Sequence, residues 1–411
     1  MIPLQMRPTV IIGGGASGFF SAIHNKIKFP SIPVIIIEKN ADVLQKVLIS
    51  GGGRCNVTHA CFDPKALIQF YPRGSRELIG PFHVFQPQDT MNWFESHGVP
   101  LKIESDNRVF PNSNTSQSIY DCLVKTAQSL GIKIWTRCTV RTIIKPNDQF
   151  QLHLSNHQTL IAQKLVLATG SSRYGYQLAE TFGHTICTPH PSLFAFRIPD
   201  PQLHRLSGIS VNRVKIRLTS NPVRDQSGPI LITKTGISGP AVITLSAWSA
   251  MDLASCNYHA NILINWCAGI SEIEPVLSHL KTLKHTPFSH LPNRLWQYLL
   301  HRADISLMQD PNTLSKVMFN RLHAILTQCP FTITGKSPFK DEFVTCGGIQ
   351  LNEVNFKTME SKRCAGLYMV GEILNIDGVT GGFNFQNAWT TGFISGLSHP
   401  LYPQKQGIVF T

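Results

Sequence analysis

One stretch near the start restricts this chain more than any other: TVIIGGGASGFFSAI, residues 9–23. Thr9 to Ile12 read as a short buried strand of a parallel sheet. Gly13-Gly14-Gly15-Ala16-Ser17-Gly18 follow with the spacing G-x-G-x-x-G, and an apolar helix comes next. Gly13 permits a tight turn, Gly15 lets the backbone approach a pyrophosphate, and Gly18 lets helix and strand pack closely. The first helical turn, from Ala16 and Ser17, then presents its N–H groups to the phosphate charge. A second strand in PVIIIEK ends at Glu38, followed by Lys39. Glu38 stands 20 residues after Gly18, where an acid meets a ribose hydroxyl. Strand, glycines, helix, strand and acid in that order predict a dinucleotide site.

The glycines alone do not separate FAD from NAD; the far end of the chain does. GLYMVGEILNIDGVTGGFNFQNAWTTGFISG, residues 366–396, returns as a strand, a turn at Gly371 and Glu372, and a helix led in by Gly381 and Gly382. That helix, from about Asn384, would aim its positive end at a flavin ring, with Phe383, Asn384 and Phe385 in its first turn. Asp377 is placed to accept from a ribityl hydroxyl. KLVLATGSS, residues 164–172, is a buried strand returning the chain to the adenosine side at Gly170. GIKIWTRCTVRTI reads as the entry to a strand pair, in which the Val140 backbone could meet the adenine edge.

With these pieces assembled, the sequence resembles the YhiN/BaiN/RdsA family of NAD(P)/FAD-dependent oxidoreductases. The resemblance rests on GGGASG, KVLISGGGRCNVT (46–58), NRVFP (107–111), TKTGISGP (233–240), TMESK (358–362) and GEILNIDGVTGGFNFQNAWTTG. It implies an α/β fold: a split Rossmann-like FAD-binding domain with an inserted β-rich domain and a small helical domain. The expected boundaries are 1–188 and 346–411 for the FAD domain, 189–269 with about 331–345 for the β-rich one, and 270–330 for the helical one. The triple glycine ending at Gly53 would lie against the flavin, with Lys46, Arg54 and Asn56 on flavin or pyrophosphate oxygens. Cys55 is either a small packed thiol or a proton donor whose pKa an adjacent arginine lowers. Glu372 is a second, weaker candidate for the proton. His59 reads as a structural hydrogen bonder. Three positions depart from the family: a shortened SSRYG after Gly170, Lys234 where histidine is frequent, and Phe383 where tyrosine is frequent.

The chain's 411 residues suggest two or three domains. No apolar run reaches the ~18 residues of a membrane span. The first residues do not read as a secretory signal, and the ten cysteines contain no CxxC pair. Reduced thiols, a cytoplasmic location and no bound metal are therefore expected. The formal charge is +13, and residues 189–336 carry 14 Lys and Arg against 7 Asp and Glu. VNRVKIRLTS in that region places Arg213, Lys215 and Arg217 on one face of a strand. This is a solvated basic surface or one for an anionic partner.

The expected chemistry is hydride transfer from NADH or NADPH through flavin to an activated C=C bond. The resemblance offers uracil in ribosomal RNA, giving dihydrouridine, or a small steroid-like enone. A non-catalytic flavin-binding, RNA-associated protein is the third reading.

Overall fold

The computed structural model describes residues 7–219, 223–270, 273–337 and 344–402. The chain divides into two compact units, Met1–Pro189 with Val344–Thr411, and His190–Phe343.

The first unit is a Rossmann-type sheet built from both chain ends. Its order is Val354–Asn355, Glu360–Ser361, Leu367–Met369, Lys164–Leu167, Thr9–Ile12, Val34–Ile37, Lys133–Trp135. The last five strands run parallel. The strands Thr9–Ile12, Val34–Ile37 and Lys164–Leu167 are buried along their whole length, as sheets covered on both faces require. The strand pair expected to begin in GIKIWTRCTVRTI forms from the second half of that segment. Lys133–Trp135 joins the main sheet, whereas Val140–Ile144 pairs with Phe150–Leu154 in a separate antiparallel meander.

Two helices join the termini. Ala16–Lys28 packs against the C-terminal helix Phe383–Gly396 at backbone distance. A Cβ at Gly392 would lie 2.6 Å from the Ser17 carbonyl oxygen. Ser21 donates to Ser395 (3.2 Å), and Asn25 donates to the Gly396 carbonyl (3.2 Å). The C-terminal helix starts one residue earlier than expected, at Phe383. Its far end is held by the buried Lys164 ammonium, which donates to the carbonyls of Ser395 and Ser398. Burial lowers that lysine to about 7.

The antiparallel edge of the sheet is pinned by a buried polar network that includes Ser361 of the TMESK segment. His184 lies 2.9 Å from Glu353 and 2.8 Å from the Ser361 hydroxyl. The spacing is that of an acyl-transfer triad. The Ser361 oxygen, however, already accepts from the N–H groups of Arg363 (3.0 Å) and Cys364 (2.9 Å), and Ser361 is 7% exposed. The network is therefore scaffold. Burial raises the Glu353 pKa, but hydrogen bonds from Thr185, Arg363 and His184 outweigh it and bring the group to about 2. A depressed carboxylate stabilises the fold above its unfolded value of 4.5, and that contribution disappears as pH falls through the folded value. Glu353→Gln is expected to cost about 3 kcal/mol at neutral pH. The gap to wild type should close between pH 4.5 and about 2 in urea melts. A constant gap across that window would refute the assignment.

The second unit is a closed six-stranded barrel in the order Phe196–Arg197, Gly236–Ser238, Arg224–Thr233, Ser210–Leu218, His259–Asn265, Cys329–Lys336. Helices Asn293–Arg302 and Lys316–Gln328 lie within the same unit. No boundary falls near residue 270, where one is expected from the sequence. The apolar core runs across this point, joining Ile216, Ile262 and Trp266 to Leu295, Trp296, Leu299 and Leu322.

Candidate active site

The N-terminal glycines do two different jobs. Gly13 has φ +110°, and a Cβ there would lie 2.3 Å from the Ala168 carbonyl oxygen. At Gly18 it would lie 2.1 Å from the Gly13 carbonyl oxygen. These two are demanded by packing. At Gly15 a Cβ would meet nothing within 4 Å. Gly15 caps helix Ala16–Lys28, whose first turn carries no side-chain cap and no acid. Its N–H donors therefore face open space with an unopposed dipole. Glu38 accepts from the Gly14 N–H and the Asn40 N–H, both 2.9 Å, which orients its carboxylate; Lys39 beside it is exposed.

The segment KVLISGGGRCN (46–56) lies in helix Gln45–Gly53 and the turn after it; the helix is kinked, and Gly51, Gly52 and Gly53 all have positive φ (56°, 67° and 79°). Three successive left-handed residues are feasible only as glycine. Cβ atoms at Gly52 and Gly53 would meet nothing within 4 Å. Cys55 is fully buried at φ +58°, and burial pushes its thiol up to about 12. Of the two readings of Cys55 the packed thiol fits: desolvation dominates, and Arg54 points elsewhere. The Arg54 guanidinium donates to Glu104 (2.7 Å) and lies 3.9 Å from the Phe110 ring centre.

Asn56 joins the loop to the other chain end. In the amide orientation that satisfies its neighbours, it donates to the carbonyls of Thr58 and Val109. Its oxygen accepts from the Gly382 N–H at 3.0 Å. Gly382, at φ +96°, caps the C-terminal helix, which has no side-chain cap. Thr58 and Thr90 both donate to Gln386 inside that helix, and Trp389 donates to the Val57 carbonyl. Asn384 exchanges two 2.9 Å hydrogen bonds with the Gly378 backbone. Phe383 stacks on Phe70, with ring centres 4.4 Å apart, and Phe385 stacks on Trp389. His59 meets the Gly381 carbonyl at 3.1 Å, a structural contact.

Two acids expected on the cofactor already hold cations. Glu372 pairs with Lys46, and its other oxygen accepts from the Thr345 N–H at 3.1 Å. Gly170 and Gly371 flank it: a Cβ at Gly170 would lie 3.5 Å from the Glu372 carboxylate, and Gly371 donates to Thr391. Asp377, with no exposure, takes both oxygens into the Arg73 fork. Its role as a ribityl acceptor is corrected to that of a loop anchor. Arg73 was not singled out from sequence; the only available signal was its place in the turn YPRG. Tyr174, equally unassigned, donates to the Val140 carbonyl, which a buried strand end presents. Lys234 lies exposed in the second unit.

These residues fit a dinucleotide. Two uncapped helix N-termini, the open faces at Gly15, Gly52 and Gly53, and the oriented Glu38 supply donors, space and a ribose acceptor. The buried Thr169 hydroxyl beside Gly170 has no hydrogen-bond partner among the described residues. Among those residues there is also no cluster of metal-ligating side chains, and no helix is long and apolar enough to cross a membrane.

Comparison with known proteins places this arrangement. The family described as HI0933-like protein Rossmann domain matches residues 7–398. The chain is 30% identical to the ribosomal RNA dihydrouridine synthase of Escherichia coli, over 95% of this chain and 97% of that protein. It is 26% identical to the 3-dehydro-bile acid delta(4,6)-reductase of Clostridium scindens, over 94% and 97%. Among solved structures, 3-ketosteroid-delta4-(5alpha)-dehydrogenase from Rhodococcus jostii superposes with a TM-score of 0.50 at 14% identity, over 96% of this chain and 98% of that one. That likeness is one of fold.

Proposed function

The chain belongs to the HI0933-like Rossmann family, and from that premise we propose that it is an FAD-dependent oxidoreductase that reduces uracil in ribosomal RNA to dihydrouridine. The observation that carries the reading is end-to-end similarity to the Escherichia coli dihydrouridine synthase, with the two uncapped helix ends and open glycine faces present. FAD, when bound, takes a hydride from NADH or NADPH and supplies it to one carbon of the ring double bond. The neighbouring carbon takes a proton, so the product gains two hydrogens.

The chain's own residues set the conditions. The first-turn N–H groups at Ala16 and Ser17 bind the pyrophosphate, and Glu38 receives the adenosine ribose. The N-terminus of helix Phe383–Gly396 would favour negative charge on a flavin ring held beside it. Asn56 holds the Gly382 N–H in place while the glycine run lets the ring approach. Of the two acids considered for the proton, Cys55 is sealed and weakly acidic. Glu372 is 19% exposed and already paired with Lys46.

The test compares dihydrouridine in ribosomal RNA from cells with and without this protein, by nucleoside mass spectrometry. Loss of the nucleoside in the deleted strain, restored by the gene, is the expected result. An unchanged level, with NADPH oxidation driven instead by a steroid enone, would transfer the reading to the small-molecule class.

A further inference from the structure

We propose that a groove on the outer wall of the barrel is a binding site for single-stranded RNA, an inference that rests on the reading of ribosomal RNA as substrate. Strand Ser210–Leu218 alternates: Val214, Ile216 and Leu218 fill the barrel, and Arg213, Lys215 and Arg217 face outward. The neighbouring strand pairs in register, with Lys215 opposite Asn265 and Arg217 opposite Leu263. Leu263 and Asn265 therefore share the outward face. The end of helix Lys316–Gln328 adds Thr327 and Gln328 as a third wall. Together they line an open groove.

The lining is chemically mixed in a way that suits a nucleotide strand. An ammonium and a guanidinium meet phosphate, two amides and a hydroxyl offer both donors and acceptors, and Leu263 supplies an apolar floor for a base. The cations are pre-positioned. Asp225, across the adjacent strand, lies 2.8 Å from the Lys215 ammonium and 3.6 Å from the Arg217 guanidinium. One carboxylate between two cations leaves the groove net positive while restraining both side chains. Arg213 on the same face makes no ion pair among the described residues and extends the positive track. The surrounding insert carries twice as many basic as acidic residues, which favours a polyanion over an acidic peptide of limited charge.

The experiment uses the full-length, FAD-loaded protein and a fluorescein-labelled single-stranded RNA of mixed sequence, read by anisotropy over a salt series. Wild type is compared with K215Q/R217Q and with K281Q/K284Q, which removes the same charge at exposed lysines elsewhere in the unit. Melting curves and flavin content verify that each variant is folded. K215Q/R217Q is expected to bind about tenfold more weakly at low salt, with the log–log salt slope reduced by about 1.4. K281Q/K284Q should track the wild type. Equal weakening in both variants, or in neither, would overturn the groove and leave the proposed reaction standing. Stronger capture of an acidic peptide than of RNA at the groove would also overturn it. Absence of RNA binding by the wild type, together with unchanged dihydrouridine in the deleted strain, would remove the underlying reading itself.

Discussion

Replacing Gly15 with valine is expected to yield a stable protein that does not retain FAD. The position has ordinary extended backbone (φ −92°, ψ −172°), and a Cβ there meets nothing within 4 Å. The fold therefore accommodates the branch. The added methyls occupy the space a pyrophosphate needs to reach the helix N–H groups. FAD affinity should fall by at least about 100-fold, some 2.7 kcal/mol. The unfolding midpoint of the flavin-free protein should stay close to wild type. Gly18→Ala is the contrasting control: its Cβ would sit 2.1 Å from the Gly13 carbonyl oxygen, so it should destabilise the flavin-free fold itself. Isothermal titration with FAD and urea melts of the flavin-free proteins separate the two outcomes. A Gly15→Val protein that binds FAD like wild type would eliminate the helix Ala16–Lys28 as the phosphate site.

The second large effect is expected at Arg73. Its guanidinium, 16% exposed, forks onto Asp377, whose carboxylate has no exposure. The two residues also form a backbone bridge, Tyr71 donates to the Phe383 carbonyl at 2.7 Å, and Val379 donates to the Phe70 carbonyl at 2.9 Å. The loop at 70–74 thus fastens the segment that leads into the C-terminal helix. Arg73→Ala removes the charged partner of a fully buried carboxylate, and the expected cost is about 3 to 5 kcal/mol. Removing the carboxylate too, in Arg73→Met with Asp377→Leu, should recover a large part of that loss, because no buried charge then remains. Urea denaturation of the single and double variants measures both values. A loss below about 1 kcal/mol for Arg73→Ala would mean that solvent already screens the pair.

The phosphate end of the site was legible from residue order because its chemistry is local. Gly13, Gly15, Gly18 and Glu38 lie within one strand–helix–strand unit, so spacing alone puts a turn, a helix end and an acid together. Two chain ends in one Rossmann unit are legible too, since buried strand runs and a glycine-led helix are visible at each end. The flavin end was read less well. Asp377 and Glu372 look like cofactor acids in one dimension, yet Arg73 and Lys46 reach them from distant segments. Cys55 beside Arg54 leaves a packed and an acidified thiol open in one dimension; adjacent side chains on a tight loop diverge, and the buried one is desolvated while the other stacks on Phe110.

What residue order settled by itself was the class of fold, the dinucleotide turn and the outward basic face of Ser210–Leu218, all products of short-range geometry and strand or helix period. What required the folded chain was partner choice. Asn56 on Gly382, Arg73 on Asp377, Lys164 on the end of the last helix and Lys215 with Arg217 around Asp225 are contacts between separate segments. Charge and hydrogen-bonding capacity are written in each side chain. Which of them meet, and how far water is excluded when they do, is decided only when the segments pack.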